Sequence, residues 1–344
     1  MEIQIIHSLS IMEKITKCQL CGCNDQEVIY VAHDHYSQKS FYLVCCVNCS
    51  LVFTNPRPSS DELGEYYPPT YYGDAGQRFH PLIERAVHFF RKRLAEKIDS
   101  HFPSRGRVLE IGSGRGSLLS ELAEKGWTAI GTEYSENIIK EVTDTPGVKV
   151  YPTPKLQDCK FPDQYFNVVI CYHVLEHLPE PIRTLREIHR IIDPQGLLII
   201  AVPNIGGFTA RLSKSHWFGI DAPRHLFHFT PETLETVLGQ SGFKIIKRST
   251  LSIEQDVFGF AQSILNLLGF PNNIFYDLIR ASTGRMRYKF SRIWSIPGFI
   301  KYISVITLGG ILSGIGLLVA AATALFGRGG TIEYWSNPID KIYQ

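Results

Sequence analysis

The sequence predicts an α/β fold built on a doubly wound parallel sheet, with a small module ahead of it and an apolar insertion near its end. Three observations predict it. From about residue 80 onward, short apolar runs alternate with helical stretches, the order of strand–helix units in such a sheet. The first run, Arg107-Val-Leu-Glu-Ile111, passes directly into a glycine-rich turn, Gly112-Ser-Gly-Arg-Gly116, and a helix. Six of the eight cysteines crowd ahead of all this, between Cys18 and Cys49. With 344 residues, 44% hydrophobic and 20% charged, the chain has the make-up of a folded globular protein. A formal net charge of +2 is too small to point to nucleic acid as a partner.

Residues 1–11 are mildly apolar but lack a basic leading segment and a small-residue cleavage site, so they do not read as an export signal. The cysteines are then expected in a reducing cytoplasm, as metal ligands rather than disulfides. Cys18-Gln-Leu-Cys21 and Cys46-Val-Asn-Cys49 are two Cys-x-x-Cys knuckles with 24 residues between them. Each can aim two thiolates at one tetrahedral ion, so Cys18, Cys21, Cys46 and Cys49 are the expected ligands of a structural zinc. Cys23 and Cys45 lie beside ligands and are left out of the set. Between the knuckles, Val28-Ile-Tyr-Val31 and Phe41-Tyr-Leu-Val44 read as a hairpin, which makes 12–58 a zinc-ribbon-like module. Such a module has little core of its own, and metal supplies much of its folding free energy. Tyr66, Tyr67, Tyr71 and Tyr72 follow, either lining a substrate mouth or packing as a linker on the main domain.

Residues 80–99 read as an amphipathic helix, and the strand at 107–111 follows. Glycines in the next turn let the backbone approach a ligand closely and aim free N–H groups at it. Dinucleotide-binding folds use a similar turn. Two details favour S-adenosylmethionine. The sixth position of the turn is Ser117, where a dinucleotide fingerprint has glycine or alanine. Glu110 stands just before the turn, where a carboxylate suits a cationic ligand and repels a pyrophosphate. The next strand, Ala129-Ile-Gly-Thr132, ends in Glu133, an acid placed to accept both ribose hydroxyls. Gly112, Ser113, Gly114, Gly116 and Tyr134 complete the expected rim, and Leu156 and Gln157 fall where a loop passes the adenine. A fourth strand, Phe166-Asn-Val-Val-Ile170, leads into Cys171-Tyr-His-Val-Leu-Glu-His177, which brings Tyr172 and His173 to the cofactor side. A helix around 181–191, the turn Asp193-Pro-Gln-Gly196 and a fifth strand ending at Pro203 complete the alternation.

These segments in this order resemble the class I S-adenosylmethionine-dependent methyltransferases, closest to the branch of ubiquinone-biosynthesis O-methyltransferases. The resemblance covers roughly residues 80–250. It implies a Rossmann-like seven-stranded sheet, and it carries the glycine-loop roles to Glu110, Gly112, Gly114 and Gly116 and the ribose role to Glu133. Its segment after strand four falls on His173, Glu176 and His177. Asn167, where the family usually has aspartate, and Gln195 depart from the pattern.

No Asn-Pro-Pro-Tyr-type motif follows strand four, which points to a small-molecule, sugar or lipid acceptor. Histidines are the candidate bases. His173 and His177 lie at the carboxyl end of strand four, where open α/β sheets bind ligands. His225 and His228 lie in Asp221-Ala-Pro-Arg-His-Leu-Phe-His-Phe-Thr230, ahead of a helix opened by Thr230 and Pro231. Trp217 and Arg224 are further candidates for facing the substrate.

Gly242-Phe-Lys-Ile-Ile-Lys-Arg248 reads as a sixth strand, and Thr331-Ile-Glu-Tyr-Trp335 fits the antiparallel seventh. The core is then 80–253 closed by 330–344, and 254–329 is an insertion between the last two strands. Within it, 302–327 contains no charged residue, and a straight helix of that length reaches about 39 Å, enough to span a bilayer. Strand seven must rejoin the sheet, so an odd number of crossings is excluded. The basic run Arg280, Arg285, Arg287, Lys289, Arg292 and Lys301 argues against a two-pass hairpin. The expectation is a monotopic arrangement: a stretch bent at Gly309-Gly310 or Gly314, with the basic run on anionic headgroups at the cytoplasmic face. Two alternatives stand beside the methyltransferase: a nicotinamide-dependent dehydrogenase of nucleotide sugars or alcohols, and a non-catalytic zinc-ribbon adaptor with a degenerate cofactor fold.

Overall fold

The computed structural model describes residues 12–68, 71, 79–142, 145–280 and 296–339, with only the backbone of 296–301. Strands β1 (Gln26–His33) and β2 (Ser40–Cys46) pair antiparallel as the expected hairpin, and β3 (Val52–Thr54) adds to β2. Helix α1 (Pro81–His101) leads to β4 (Arg107–Ile111), α2 (Ser117–Glu124) and β5 (Thr128–Glu133). The chain continues through α3 (Glu136–Val142), β6 (Val148–Pro152), β7 (Phe166–Tyr172), α4 (Pro181–Ile191) and β8 (Ile192–Pro203). Then come α5 (Phe208–Ser213), β9 (Phe227–His228), α6 (Pro231–Gln240) and β10 (Phe243–Ser249). Helices α7 (Ile253–Leu267), α8 (Ile274–Ile279) and α9 (Ile296–Ala324) precede the last strand, β11 (Thr331–Pro338).

Seven strands form one sheet in the order β10-β11-β8-β7-β4-β5-β6. All neighbours from β8 to β6 are parallel, and β11 runs antiparallel between β8 and β10. The order turns at β4, so the carboxyl ends of β4 and β7 open a crevice there. Strands β7 and β8 are near-continuous apolar runs because both sheet faces are covered. The alternation of strand side chains divides them between two layers. Leu109, Val169, Leu198 and Ile200 pack towards α4 and α6, whereas Val108, Val168, Ile170 and Ile199 pack towards α1 and α2.

The cysteine module is not a separate bead. Its sheet has four strands, β1-β2-β3-β9, and the fourth comes from the main domain, with Val52 opposite His228 and Phe53 opposite Phe227. Gln19 Nε2 and Arg57 Nη1 both donate to the Pro179 carbonyl at the start of α4, at 3.0 and 3.3 Å.

The insertion departs from expectation in one respect. Helix α9 runs unbroken through Gly309, Gly310 and Gly314 instead of bending there. Two of its glycines serve close packing: a Cβ on Gly309 would meet Phe275 at 2.7 Å, and one on Gly316 would meet the Val257 carbonyl of α7 at 3.0 Å. Helices α7 and α9 join through Phe260, Ala261, Leu265, Val305 and Leu312. Outside that seam Ile311, Ile315, Leu317 and Leu318 are exposed. The segment 302–324 has mean hydropathy 2.2 and is mostly exposed. By length and composition it can cross a membrane. Of the basic run, Arg285, Arg287, Lys289 and Arg292 lie outside the described residues, as do the side chain of Lys301 and Tyr72. Arg280 is buried, donating to the Tyr36 hydroxyl at 2.7 Å, and so does not extend the run.

Candidate functional site

The two cysteine knuckles are built alike. In each, the residue four places after the first cysteine, Gly22 or Ser50, adopts a left-handed conformation. Its N–H donates back to that cysteine's carbonyl, at 2.8 and 2.9 Å. The four Sγ atoms of Cys18, Cys21, Cys46 and Cys49 all lie within 4.8 Å of one another, with Cys18–Cys49 and Cys21–Cys46 at 3.5 Å. A tetrahedral ion with metal–sulfur bonds of about 2.3 Å needs sulfurs about 3.8 Å apart, so the donor set fits one such ion. Cys23 and Cys45 point elsewhere, as expected.

The turn after β4 places Gly112, Gly114 and Gly116 at φ +64°, +51° and +67°. Two of them are also sterically required, since a Cβ would meet Val174 at 2.7 Å from Gly112 and Val142 at 3.0 Å from Gly116. Nothing stands within 4 Å of the Cβ position of Gly114, which opens onto a cavity. Glu133 ends β5 facing this turn. Its Oε2 accepts from Gly114 N–H at 3.0 Å, and its Oε1 accepts from Tyr134 and Ser135 N–H at 2.8 and 2.9 Å. A carboxylate has about four acceptor positions, so one remains for a sugar hydroxyl rather than the two expected, because three backbone amides fill the others. Glu110 is buried with Oε2 unpartnered, and burial pushes its carboxyl up to about 8. Both features fit a site waiting for a cation.

The cavity measures about 1220 Å³. All of the expected cofactor residues except Gly116 line it: Glu110, Gly112, Ser113, Gly114, Glu133, Tyr134, Leu156, Gln157, Tyr172 and His173. Gly116 instead caps the amino end of α2.

Four candidate bases separate into different environments. His173, His177 and His225 line the cavity around Glu176. His228 does not line it; it sits on β9, almost fully buried, with its pKa pushed down to about 3 by burial and then by the charge of His225. His177 is also neutral, held down to about 4 by burial and His225, with Nδ1 3.0 Å from the Arg224 carbonyl and 3.1 Å from the Tyr67 hydroxyl. His225 donates Nδ1–H to the Gly219 carbonyl at 2.8 Å, which fixes the tautomer and leaves the Nε2 lone pair free. That Nε2 stands 4.0 Å from Glu176 Oε1. His173 has Nδ1 3.5 Å from the same oxygen and a left-handed backbone, φ +56°, of the kind found at constrained sites. Glu176 is buried, which opposes ionisation. The close approach of His173, at 3.5 Å, and the neighbouring imidazoles of His177 and His225 outweigh this and hold it down to about 2. Glu176, His177 and His225 also converge closely enough to hold a metal ion.

Trp217 lines the cavity, but Arg224 does not. Its guanidinium is locked by Asp34 at 2.8 Å, the Tyr66 carbonyl at 3.0 Å and both Asp221 oxygens at 3.0 and 2.6 Å. Arg224 thus ties the cysteine module to the segment carrying His225. Two members of the site escape sequence reasoning: Asp221, and Glu176 as the hub of the histidines. Only the His-x-x-Glu-His spacing hinted at the hub.

Residues 78–248 match the family model of the methyltransferase domain. A probable S-adenosylmethionine-dependent methyltransferase of Mycobacterium tuberculosis is 28% identical over 174 residues, 49% of this chain and 60% of that one. The ubiquinone biosynthesis O-methyltransferase of Coxiella burnetii is 24% identical over 153 residues, 43% of this chain and 63% of that one. The chain thus spans about 60% of the length of these relatives. A solved S-adenosylmethionine-dependent methyltransferase from Archaeoglobus fulgidus is 27% identical, covering 47% of this chain and 73% of that one with a TM-score of 0.39. With the strand order, the glycine turn faced by Glu133 and the family match, residues 78–248 form a methyltransferase domain of the class I, S-adenosylmethionine-dependent kind.

Proposed function

We propose that the protein transfers the methyl group of S-adenosylmethionine to a hydroxyl of a small or lipid-linked acceptor at the cytoplasmic surface of a membrane, with zinc on the four cysteines. One observation carries this reading: a single cavity joins the glycine turn and Glu133 to the histidines around Glu176. When bound, S-adenosylmethionine supplies a methyl carbon activated by its sulfonium. The chain supplies position and a proton acceptor. Glu133, positioned by the amide of Gly114, would hold the sugar, and Glu110 would face the charged end. His225 Nε2 takes the hydroxyl proton as the oxygen–carbon bond forms and the carbon–sulfur bond breaks. Glu176, ionised 4.0 Å away, stabilises the imidazolium. The exposed apolar side chains of α9 support the membrane surface, and thiols kept as metal ligands suit its reducing side. Incubating membranes with protein and labelled S-adenosylmethionine tests it: label in the lipid or glycolipid extract is expected, and label in neither fraction would refute it.

A second reading is favoured by the two unpartnered oxygens of Glu176. A divalent ion on Glu176, His177 and His225 would polarise the hydroxyl in place of the base. Metal content separates the two: one ion per chain fits the base, and a second ion lost in His225→Ala fits the Lewis acid.

A further inference from the structure

The cavity does not stop at the histidines. Its far wall is made by the insertion: Phe258 and Gly259 of α7, Tyr276 of α8, and Ser313, Gly314 and Leu317 of α9. At about 1220 Å³ it exceeds the 300–1,000 Å³ of an ordinary small-ligand pocket. The insertion also lines the cavity with Glu254, Asp256 and Asn273, but these are engaged: Glu254 accepts from Arg91 at 3.3 Å, Asp256 from the Thr331 hydroxyl at 2.9 Å and Asn273 Oδ1 from Asn266 at 3.3 Å, while Ser313 Oγ donates to the Gly309 carbonyl at 2.7 Å. Gly259 and Gly314 both border it, and neither has an atom within 4 Å of its Cβ position. They contrast with Gly309 and Gly316, whose missing side chains serve helix packing. Leu317 lines the cavity and is also 46% exposed, next to Leu318 at 72%. The cavity therefore opens among the side chains that face outward from α9.

We propose that this arm of the cavity is a hydrocarbon channel. The acceptor is an amphiphile whose hydroxyl-bearing head lies at His225 and Glu176 while its alkyl tail runs between Gly259 and Gly314 and leaves past Leu317 into the bilayer. This rests on the methyl-transfer reading and narrows it to a substrate that never fully leaves the membrane. Apolar walls and an apolar exit suit an alkyl chain, whereas a soluble sugar nucleotide would strand its phosphates against Phe258 and Leu317. Helix α9 then has two faces with two jobs, the outer one in lipid and the inner one along the tail.

Hexadecanol carrying a diazirine near its terminal methyl, mixed into phosphatidylethanolamine–phosphatidylglycerol vesicles bearing the full chain, tests this. Illumination followed by peptide mapping is expected to label Phe258 and its neighbours on α7 together with Leu317. Gly314→Phe should lower the α7 labelling about tenfold, the equivalent of about 1.4 kcal/mol. Gly310→Phe, on the same helix but off the cavity wall, should leave it unchanged. Label confined to Ile311, Ile315 and Leu318 would overturn the channel, as would α7 labelling indifferent to Gly314→Phe. Calorimetry with S-adenosylhomocysteine on the same samples keeps the two readings apart. Its failure to bind would refute the methyl-transfer reading, while α7 labelling alone decides the channel.

Discussion

His225 Nε2 and Glu176 Oε1 face each other at 4.0 Å, with the other nitrogen of the histidine tied to the Gly219 carbonyl. The imidazole thus has one fixed proton, one free lone pair, and an anion ready beside it. Replacing Glu176 with Gln keeps the shape and removes the anion. We expect turnover to fall about 10²- to 10⁴-fold while the affinity for S-adenosylhomocysteine stays within twofold or so. Single-turnover methyl transfer measures the first and calorimetry the second. An unchanged rate would remove Glu176 from the reaction.

Glu110 holds its proton up to about pH 8 because it is buried. At pH 7 it is neutral in the free protein. A cationic ligand alongside lowers that pKa, so binding at pH 7 should release up to about one proton. Calorimetry in buffers of different ionisation enthalpy counts it. In Glu110→Gln the release should vanish and binding should weaken; proton release that survives would exclude this carboxyl as its source.

His228 titrates near 3 and His177 near 4 in the folded chain, against about 6.5 when unfolded. Between those values the unfolded chain holds protons that the folded one does not. Stability is therefore full above about pH 6.5 and falls with acidification, at about 1.4 kcal/mol per pH unit for each histidine. Urea denaturation between pH 5 and 6.5 should show His228→Gln flattening that slope by one such share. A slope equal to the parent's would mean His228 is not buried neutral.

Cys46 is fully buried among the four thiols. Cys46→Ser should lower the metal content by about one ion per chain and destabilise the fold by several kcal/mol, because metal binding and folding of such a module are one process. Elemental analysis and thermal melting read the two. Full metal content in this variant would show that the cysteines are not the ligands.

Much of this was legible because it is local. Glycine positions, the acid ending β5 and the Cys-x-x-Cys spacings are each fixed within a few residues by backbone geometry or ligand reach. The alternation of strands and helices likewise announces the parallel sheet. What was not legible depends on distant partners. Arg224 looks like a substrate contact until Asp34, 190 residues away, is seen to hold it. His228 reads as a base until β3 covers it. Gly309 reads as part of a bend, yet Phe275 uses the room it leaves. A glycine that breaks a helix and one that admits a neighbour are spelled alike.

Because β9 completes its sheet by pairing with β3, some 170 residues earlier, the amino-terminal stretch cannot be trimmed away as an accessory. A shortened chain starting at residue 80 would bare the edge of Phe227 and His228, leave the Thr54 hydroxyl bond to the His225 carbonyl unmade, and strip Arg224 of Asp34. Any comparison of catalysis among relatives lacking this stretch has to ask what steadies the histidine segment in its place.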